Sequence, residues 1–334
     1  MKKKIFHALA ILAFAIFVGH GPRLMAQTDS SGGSSGPNMR RDLPHWLKPF
    51  MEAGAAASQT AGVPEDAVEM GLAKKKTYQF RTVDYPAAIT SLTLDYNDGI
   101  AGGYFQFYEL GSQAFYFNGS ANSLLNIPGA TASMIEGING SGHMAGLYFD
   151  SNSVAHGFVS KGKSVTTVDV PAAAGWTEAS DISDSGVIVG NYIDRKGIEH
   201  GFEDNNGSFS AIDYPGAQST YADGINASGE IVGIYYDSSG YVHGFLLKHQ
   251  TYTSIDFPSA RNTHSFGIND AGDIAGTFQY SDGVRHGFTY SNGVFSQVDV
   301  DQAAGTVLFR IKNNGNVVGW LLDGLYAAHG IIGK

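Results

Sequence analysis

The stretch from His200 to Asp213, HGFEDNNGSFSAID, has near copies about every 43 residues, and this repeat constrains the fold more than any other feature. Phe202 belongs to a set with Phe115, Phe158, Phe245 and Phe288, and Ile331 stands last in the series. Thirteen residues after each histidine comes an aspartate: His156 and Asp169, His200 and Asp213, His243 and Asp256, His286 and Asp299. The first copy has Gln113 and Asn126 at these two places. Both positions change together, as two side chains in contact across a hairpin would.

Pro86, Pro128, Pro171, Pro215 and Pro258 mark the register, with Asp301 in the sixth place, at steps of 42, 43, 44, 43 and 43 residues. Each repeat reads as four strands. In one copy they are Thr220–Asn226, Ile231–Tyr236, Val242–Leu247 and Tyr252–Phe257, with turns at Ala227-Ser228-Gly229 and Asp237-Ser238-Ser239-Gly240. Gly, Asn, Asp and Ser at these turns supply positive φ and local hydrogen bonds. Six repeats of four strands predict an all-β, six-bladed β-propeller. An open solenoid would need polar capping repeats, whereas the last copy has three strands and stops at Lys334. The stretch Tyr78–Tyr85 is an unmatched fourth strand that closes the sixth blade, which sets Asp84 opposite His329. Small side chains in Thr-x-Ala-x-Gly-Ile-Asn suit the crowded innermost strand. The strand ending in Asp-x-Pro belongs outermost, where proline is tolerated.

Three segments follow: a signal peptide over 1–26, a linker with a short helix over 27–77, and the propeller over 78–334. Lys2-Lys3-Lys4, an apolar run from Ile5 to Val18 and a small residue at Ala26 describe a secretory signal, so the chain is expected to be secreted or periplasmic. The run is short for a membrane span. Residues 27–37 are a Gly/Ser-rich tether. Pro64-Glu65-Asp66 predicts a helix start, running to about Leu72 with Lys74–Lys76 at its C-terminal end. Residues 38–77, with Trp46, Leu47, Phe50 and Met51 clustered, form either a strut docked on the ring or a partly ordered spacer.

Composition narrows the partners. The chain has no cysteine, so the fold rests on its core. Without Lys2, Lys3, Lys4 and Arg23 the basic residues number 17 against 31 acidic ones, a formal charge of −14. Such a surface repels nucleic acid and anionic lipid. No nucleic-acid partner and no membrane insertion of the mature chain are expected.

Several motifs lose their chemistry in context. Gly32-Gly33-Ser34-Ser35-Gly36 matches a hydrolase nucleophile elbow but lies in the tether, without the strand and helix it needs. Gly157 to Ser164 matches a phosphate-binding loop, yet falls at a hairpin rather than a helix N-terminus. The five histidines stand on separate blades toward the outside and cannot converge on one ion, so a structural bond to the facing aspartate is expected. Asp150, Asp194, Asp237, Asp282 and Asp323 open turns, where aspartate bonds its own backbone rather than calcium. No metal or cofactor is expected.

The repeats resemble the HAF family of extracellular repeats. The likeness is carried by His-Gly-Phe, Gly-Ile-Asn-x-x-Gly and Ile-Val-Gly over residues 78–334. The first repeat departs most, lacking His-Gly-Phe and Gly-Ile-Asn. The resemblance implies export and a propeller-like fold, and it implies no reaction.

Candidate function lies where the symmetry breaks. Near one mouth of the ring, equivalent positions differ: Glu136, Trp176, Glu178, Asp181, Tyr221, Asp223, His264 and Arg310. Asp181 and Arg310 replace a glycine found in three other copies. Acids, aromatics and one arginine around a concave mouth predict a glycan or peptide ligand, with Trp176 and Tyr221 as stacking faces. The expectation is an exported, non-catalytic binding or scaffolding propeller. The alternative is a hydrolase or lyase acting on a glycan or lactone through the same mouth, with Glu136, Glu178, Asp223 and His264 supplying acid and base.

Overall fold

The computed structural model describes residues 73–75, 77–83, 90–97, 100–107, 111–117, 122–324 and 328–334. The expected signal peptide, tether, Trp46 cluster, helix from Pro64 and the partner residue Asp84 lie outside the described residues. Within them are 25 strands and no helix.

Six four-stranded antiparallel units make the ring. Blade 1 holds β3 (Thr90–Asn97), β4 (Ile100–Phe107), β5 (Gly111–Phe117) and β6 (Asn122–Leu124). Blade 2 holds β7 (Ala132–Ile138), β8 (Met144–Phe149), β9 (Ala155–Lys161) and β10 (Ser164–Val168). Blade 3 holds β11 (Thr177–Ile182), β12 (Ile188–Ile193), β13 (Glu199–Asn205) and β14 (Ser208–Ile212). Blade 4 holds β15 (Ser219–Ile225), β16 (Ile231–Tyr236), β17 (Val242–Lys248) and β18 (Thr251–Ile255). Blade 5 holds β19 (Asn262–Ile268), β20 (Ile274–Gln279), β21 (Arg285–Ser291) and β22 (Val294–Val298). Blade 6 joins β23 (Gly305–Ile311), β24 (Val317–Leu322) and β25 (Ala328–Gly333) to β2 (Phe80–Thr82). The first strands touch in sequence, β3 to β7, β11, β15, β19, β23 and back to β3, so they surround the axis as expected. β2 pairs with β25, Arg81 opposite Ile332, and so closes the ring with the chain's own N-terminal side.

The three sequence motifs interlock within each blade. Every inner strand carries a β-bulge, at Leu94, Glu136, Ser180, Asp223, Phe266 and Phe309. Beside the bulge the second strand must present glycine: a Cβ on Gly233 would collide with the carbonyl oxygen of Tyr221. Across the next ladder the Phe245 ring covers that bare backbone, with Gly233 and Phe245 directly opposite. Ile-Val-Gly and His-Gly-Phe are therefore two halves of one packing unit.

The histidines behave as structural clamps. His156, His200, His243 and His286 place Nδ1 at 2.9, 2.7, 3.0 and 3.1 Å from Asp169, Asp213, Asp256 and Asp299. The rings stack on Tyr148, Tyr192, Tyr235 and Phe278 of the second strand. Nε2 of His200 and His243 faces the turn aspartates Asp194 and Asp237 at 3.5 and 3.6 Å. Those aspartates use Oδ1 to accept two main-chain N–H groups of their own turn, as Asp237 does from Ser239 and Tyr241. Residues 157–164 form the β9–β10 hairpin, a geometry that offers phosphate no helix N-terminus.

The linker contributes one described element: Ala73–Lys75 is β1, paired in parallel with β22. The outer edge of a blade exposes unpaired N–H and C=O groups, and an extended segment satisfies them. Blade 5 therefore has five strands.

Candidate functional site

The axis is built from the inner strands, and its lower part is a lattice of inter-blade bonds. The asparagine of Gly-Ile-Asn reaches sideways: Nδ2 of Asn139, Asn226 and Asn269 donates to the carbonyls of Ser183, Asn269 and Lys312 on the next blade. Gly137, Gly224 and Gly267 lie where the neighbouring strand leaves no room for a Cβ. In the other three blades this position holds Asp95, Asp181 and Arg310. Asp95 accepts from the Ile138 amide at 2.6 Å and pairs with Lys312 at 2.5 Å. Asp181 accepts from the amides of Ile182 and Ile225 at 2.9 and 3.1 Å.

Arg310 crosses between blades. Nη1 donates to the carbonyls of Phe266 and Phe309 at 2.9 and 3.1 Å, and Nη2 to those of Glu136 and Ser180 at 3.0 and 2.7 Å. All four acceptors are bulge residues, from blades 5, 6, 2 and 3. The bulges turn these carbonyls out of their ladders, and one guanidinium collects them. Burial works against its charge, but Asp181, Asp95, Asp223 and Glu136 outweigh it and hold Arg310 above its ordinary value. Burial pushes Asp181 upward while Arg310 pulls it back.

Higher on the axis the side chains differ sharply between blades. Two residues before each bulge stand Met134, Glu178, Tyr221, His264 and Val307 in blades 2 to 6. Glu178 is fully buried; Glu136, Asp223 and His264 are 5, 4 and 2% exposed. Glu178 takes a hydrogen bond from Asn191 at 3.1 Å, and Asn191 in turn accepts from Ser180. Burial, the charge of Glu178 and a hydrogen bond with that side chain together push Glu136 well above the usual carboxylate range. That shift favours the neutral, protonated form of Glu136. Its Oε1 is buried with no hydrogen-bond partner.

An apolar cluster of Met134, Leu147, Trp176, Phe266, Phe309 and Trp320 is drawn from blades 2, 3, 5 and 6, so blades 2 and 3 supply both acids and apolar side chains.

The structure gathers Glu136, Glu178, Asp181, Asp223 and Arg310 around the axis, within electrostatic reach of one another. It does not leave them on an open rim. All eight predicted positions are buried, so the expectation of exposed stacking faces fails for Trp176 and Tyr221. Trp176 packs edge-on against Phe149 in the apolar cluster. Tyr221 packs with Ile234 and Val242, and its hydroxyl donates to Glu199. The His264 ring lies 5.5 Å from that of Phe266.

Sequence reasoning missed Asp95, Asn191, Glu199, Arg285 and Lys312. Glu199 and Arg285 precede His-Gly-Phe, where other blades have Ala155, Val242 and Ala328. Arg285 is buried, which lowers it to about 9. Comparing that column across blades would have found both.

No family model matches the sequence, and no curated protein matches it. Solved structures do. AofleA from Arthrobotrys oligospora aligns at 12% identity over 77% of this chain and 87% of its own, with a TM-score of 0.50. TolB from Acinetobacter baumannii aligns at 8% identity over 71% and 64%, with a TM-score of 0.51. A fungal lectin from Aleuria aurantia, described as a six-bladed β-propeller with a novel fucose recognition mode, aligns at 10% identity over 71% and 92%, TM-score 0.42. At such identities the first two likenesses show the fold alone.

Proposed function

We propose that this chain is an exported propeller of the HAF-repeat kind that binds or scaffolds without catalysis, holding a glycan or peptide at the mouth of its axis. One observation carries the reading. The position two residues before the bulge tolerates plain apolar side chains, Met134 in blade 2 and Val307 in blade 6, yet blades 3 and 5 hold Glu178 and His264 there, buried. Burying a charge costs several kcal/mol unless it is paired, on the order of the whole contribution of a core side chain. Drift is cheap at exposed positions but not here. The ring as a fold needs no glutamate at that place, so a ligand is the better reason for it.

Nη1 and Nη2 of Arg310 are engaged by four main-chain carbonyls, so these donors serve the ring rather than a ligand. One observation favours the second reading, a hydrolase or lyase on a glycan or lactone. Burial and the charge of Glu178 raise Glu136, and two carboxyl groups pushed apart in this way are the kind of arrangement that offers an acid and a base together.

The test is a glycan and peptide array probed with residues 38–334. Glu178→Met and His264→Val, which copy the residues of the apolar blades, should keep or raise the melting temperature while abolishing binding of the array hits. Undiminished binding would move the site to another surface. Turnover of a bound glycan or lactone that Glu136→Gln abolishes would replace the binding reading with the enzymatic one.

A further inference from the structure

Ile198 and Tyr241 are 40 and 42% exposed, two of the three large apolar side chains left open among the described residues. They occupy the same place in adjacent blades, the end of the turn between the second and third strands, four residues after Asp194 and Asp237. Blades 2 and 5 hold Val154 and Val284 there, both half-buried. The fold is served by valine, yet blades 3 and 4 carry larger apolar side chains and leave them in water. Both turns are fixed in place. Asp194 Oδ1 accepts from the Ile198 amide at 2.9 Å, and Asp237 Oδ1 from the Tyr241 amide at 2.8 Å.

Positive charge gathers beside them. In an antiparallel blade, this turn and the connection from the fourth strand to the next blade open on the same face of the ring. Contacts join the two in blade 4: Gln218 Nε2 donates to the Ser238 carbonyl at 3.3 Å, and the Arg261 guanidinium lies over the Tyr241 ring, 5.5 Å from its centre. Blade 3 has Arg195 and Lys196 where blade 4 has Ser238 and Ser239, and the connection into blade 5 has Arg261 where that into blade 4 has Gln218. All three cations are exposed. The ion pairs of lysine and arginine among the described residues use Lys248, Arg310 and Lys312, and these three have none. The neighbouring carboxylates are occupied, Asp213 and Asp256 by His200 and His243, Asp194 and Asp237 by their turn amides. A chain with a formal charge of −10 thus presents unpaired cations and open apolar side chains on one face.

We infer that this face of blades 3 and 4, outward of the axial site, docks an acidic segment of another protein. Apolar side chains of the segment cover Ile198 and the edge of Tyr241, and its carboxylates meet Arg195, Lys196 and Arg261. The inference goes beyond the axial reading and does not depend on it. Two features favour a polypeptide over an acidic glycan. Arg261 covers a face of the Tyr241 ring on which a sugar would stack, and Ile198 offers no flat surface at all. A guanidinium already laid on a ring also loses less freedom when it forks onto a carboxylate.

The test is an array of short synthetic peptides in which Asp or Glu alternates with Leu, Ile, Val or Phe. Beside them stand copies with Asn and Gln for the acids, and oligosaccharides of alginate and hyaluronate. The whole chain should bind members of the acidic set at least about tenfold more tightly than their amide copies, and less tightly as salt rises. Two combined variants copy residues that other blades already carry, so both should keep the melting temperature. Arg195→Ser with Lys196→Ser and Arg261→Gln removes the cations, and Ile198→Val with Tyr241→Val removes the open apolar area. Each should weaken the peptide hits about tenfold or more, and neither alters a residue of the axial site. Equal binding of the amide copies, hits that either variant leaves unchanged, or no hit among the acidic peptides overturns the inference. So does binding of the oligosaccharides alone. A dimer in sedimentation that Ile198→Val with Tyr241→Val dissolves would overturn it too, by making this face a contact between two copies of the chain.

Discussion

His200 Nδ1 lies 2.7 Å from Asp213 Oδ1, across a hairpin that separates the two residues by thirteen positions. Nε2 of the same ring faces Asp194 at 3.5 Å, and Tyr192 stacks on its face. The imidazole therefore ties the second, third and fourth strands of its blade and the turn between the second and third. His243 repeats this in blade 4 with Asp256, Asp237 and Tyr235.

Removing one partner of such a bond should cost about 0.5–1.5 kcal/mol at these half-exposed sites. His243→Ala and Asp256→Ala in a double-mutant cycle should total less than the sum of the single changes. Additivity, read from denaturant unfolding, would mean that the side chains do not interact. His286, which is buried and also met by Gln297, should lose more than His243 when truncated.

How much of this was legible in the sequence depended on repetition. The His–Asp bond could be read because the pair recurs in successive copies and is exchanged as a pair for Gln113 and Asn126. The inner-strand assignment could be read because small residues recur there. Asp95, Asp181 and Arg310 share one column, and two of them stood out as replaced glycines; their role did not. The reason is that bulged carbonyls from four blades meet Arg310, a convergence that no spacing along the chain encodes. Burial of Trp176 and Tyr221 was missed for a related cause: residues at the end of a ring look like rim residues until the opposite blade is in place. Strand Ala73–Lys75 was not foreseen because the edge of β22 that pairs with it lies more than two hundred positions away along the chain.

Acid should loosen the turns only as pH falls below the ordinary carboxylate range. Asp150, Asp194 and Asp237 are held below their usual value, chiefly by main-chain N–H groups and then by the facing histidine. A depressed carboxylate stabilises the fold above its unfolded value near 3.8 and loses that contribution as pH falls through the lower folded value. Melting temperature should therefore drop as pH falls below the unfolded value near 3.8 toward the lower folded value. In Asp237→Asn that drop should be smaller. An unchanged slope in the variant would show that this turn does not contribute to the acid transition.

Glu136 should act with the opposite sign. Its folded value is raised, so the native ring binds a proton that the unfolded chain releases above 4.5. Stability from this group is then full at low pH and falls as pH rises through the raised value. Glu136→Gln keeps a neutral side chain at every pH. It should raise the melting temperature near neutrality and leave it nearly unchanged at pH 4.5. A loss at neutral pH would mean that Glu136 is ionised there and needed as an anion.

Closure of the ring is tested by truncation. β2 contributes only Phe80–Thr82 to the ladder with β25, but flanking bonds extend it: Gln79 and Lys334 exchange two main-chain bonds, and the Val83 amide donates to Gly330. Tyr78 and Phe80 also pack on the core formed by Ile331, Val317 and Leu308. Deleting residues 1–77 removes β1 and leaves this clasp intact. The edge of β22 then returns to solvent, which hydrates it at small cost. Extending the deletion through Val83 strips an entire outer strand, exposes the β25 edge and uncovers apolar side chains of blade 6. The first truncation should melt within a few degrees of the longer chain, a loss of about 1 kcal/mol or less. The second should melt far lower or unfold in parts, since an opened blade no longer shares the ring's cooperativity. A synthetic peptide spanning residues 77–85, added in trans, should recover part of the loss. Equal melting of the two truncations would show that the pairing of β2 with β25 contributes nothing to holding the circle shut.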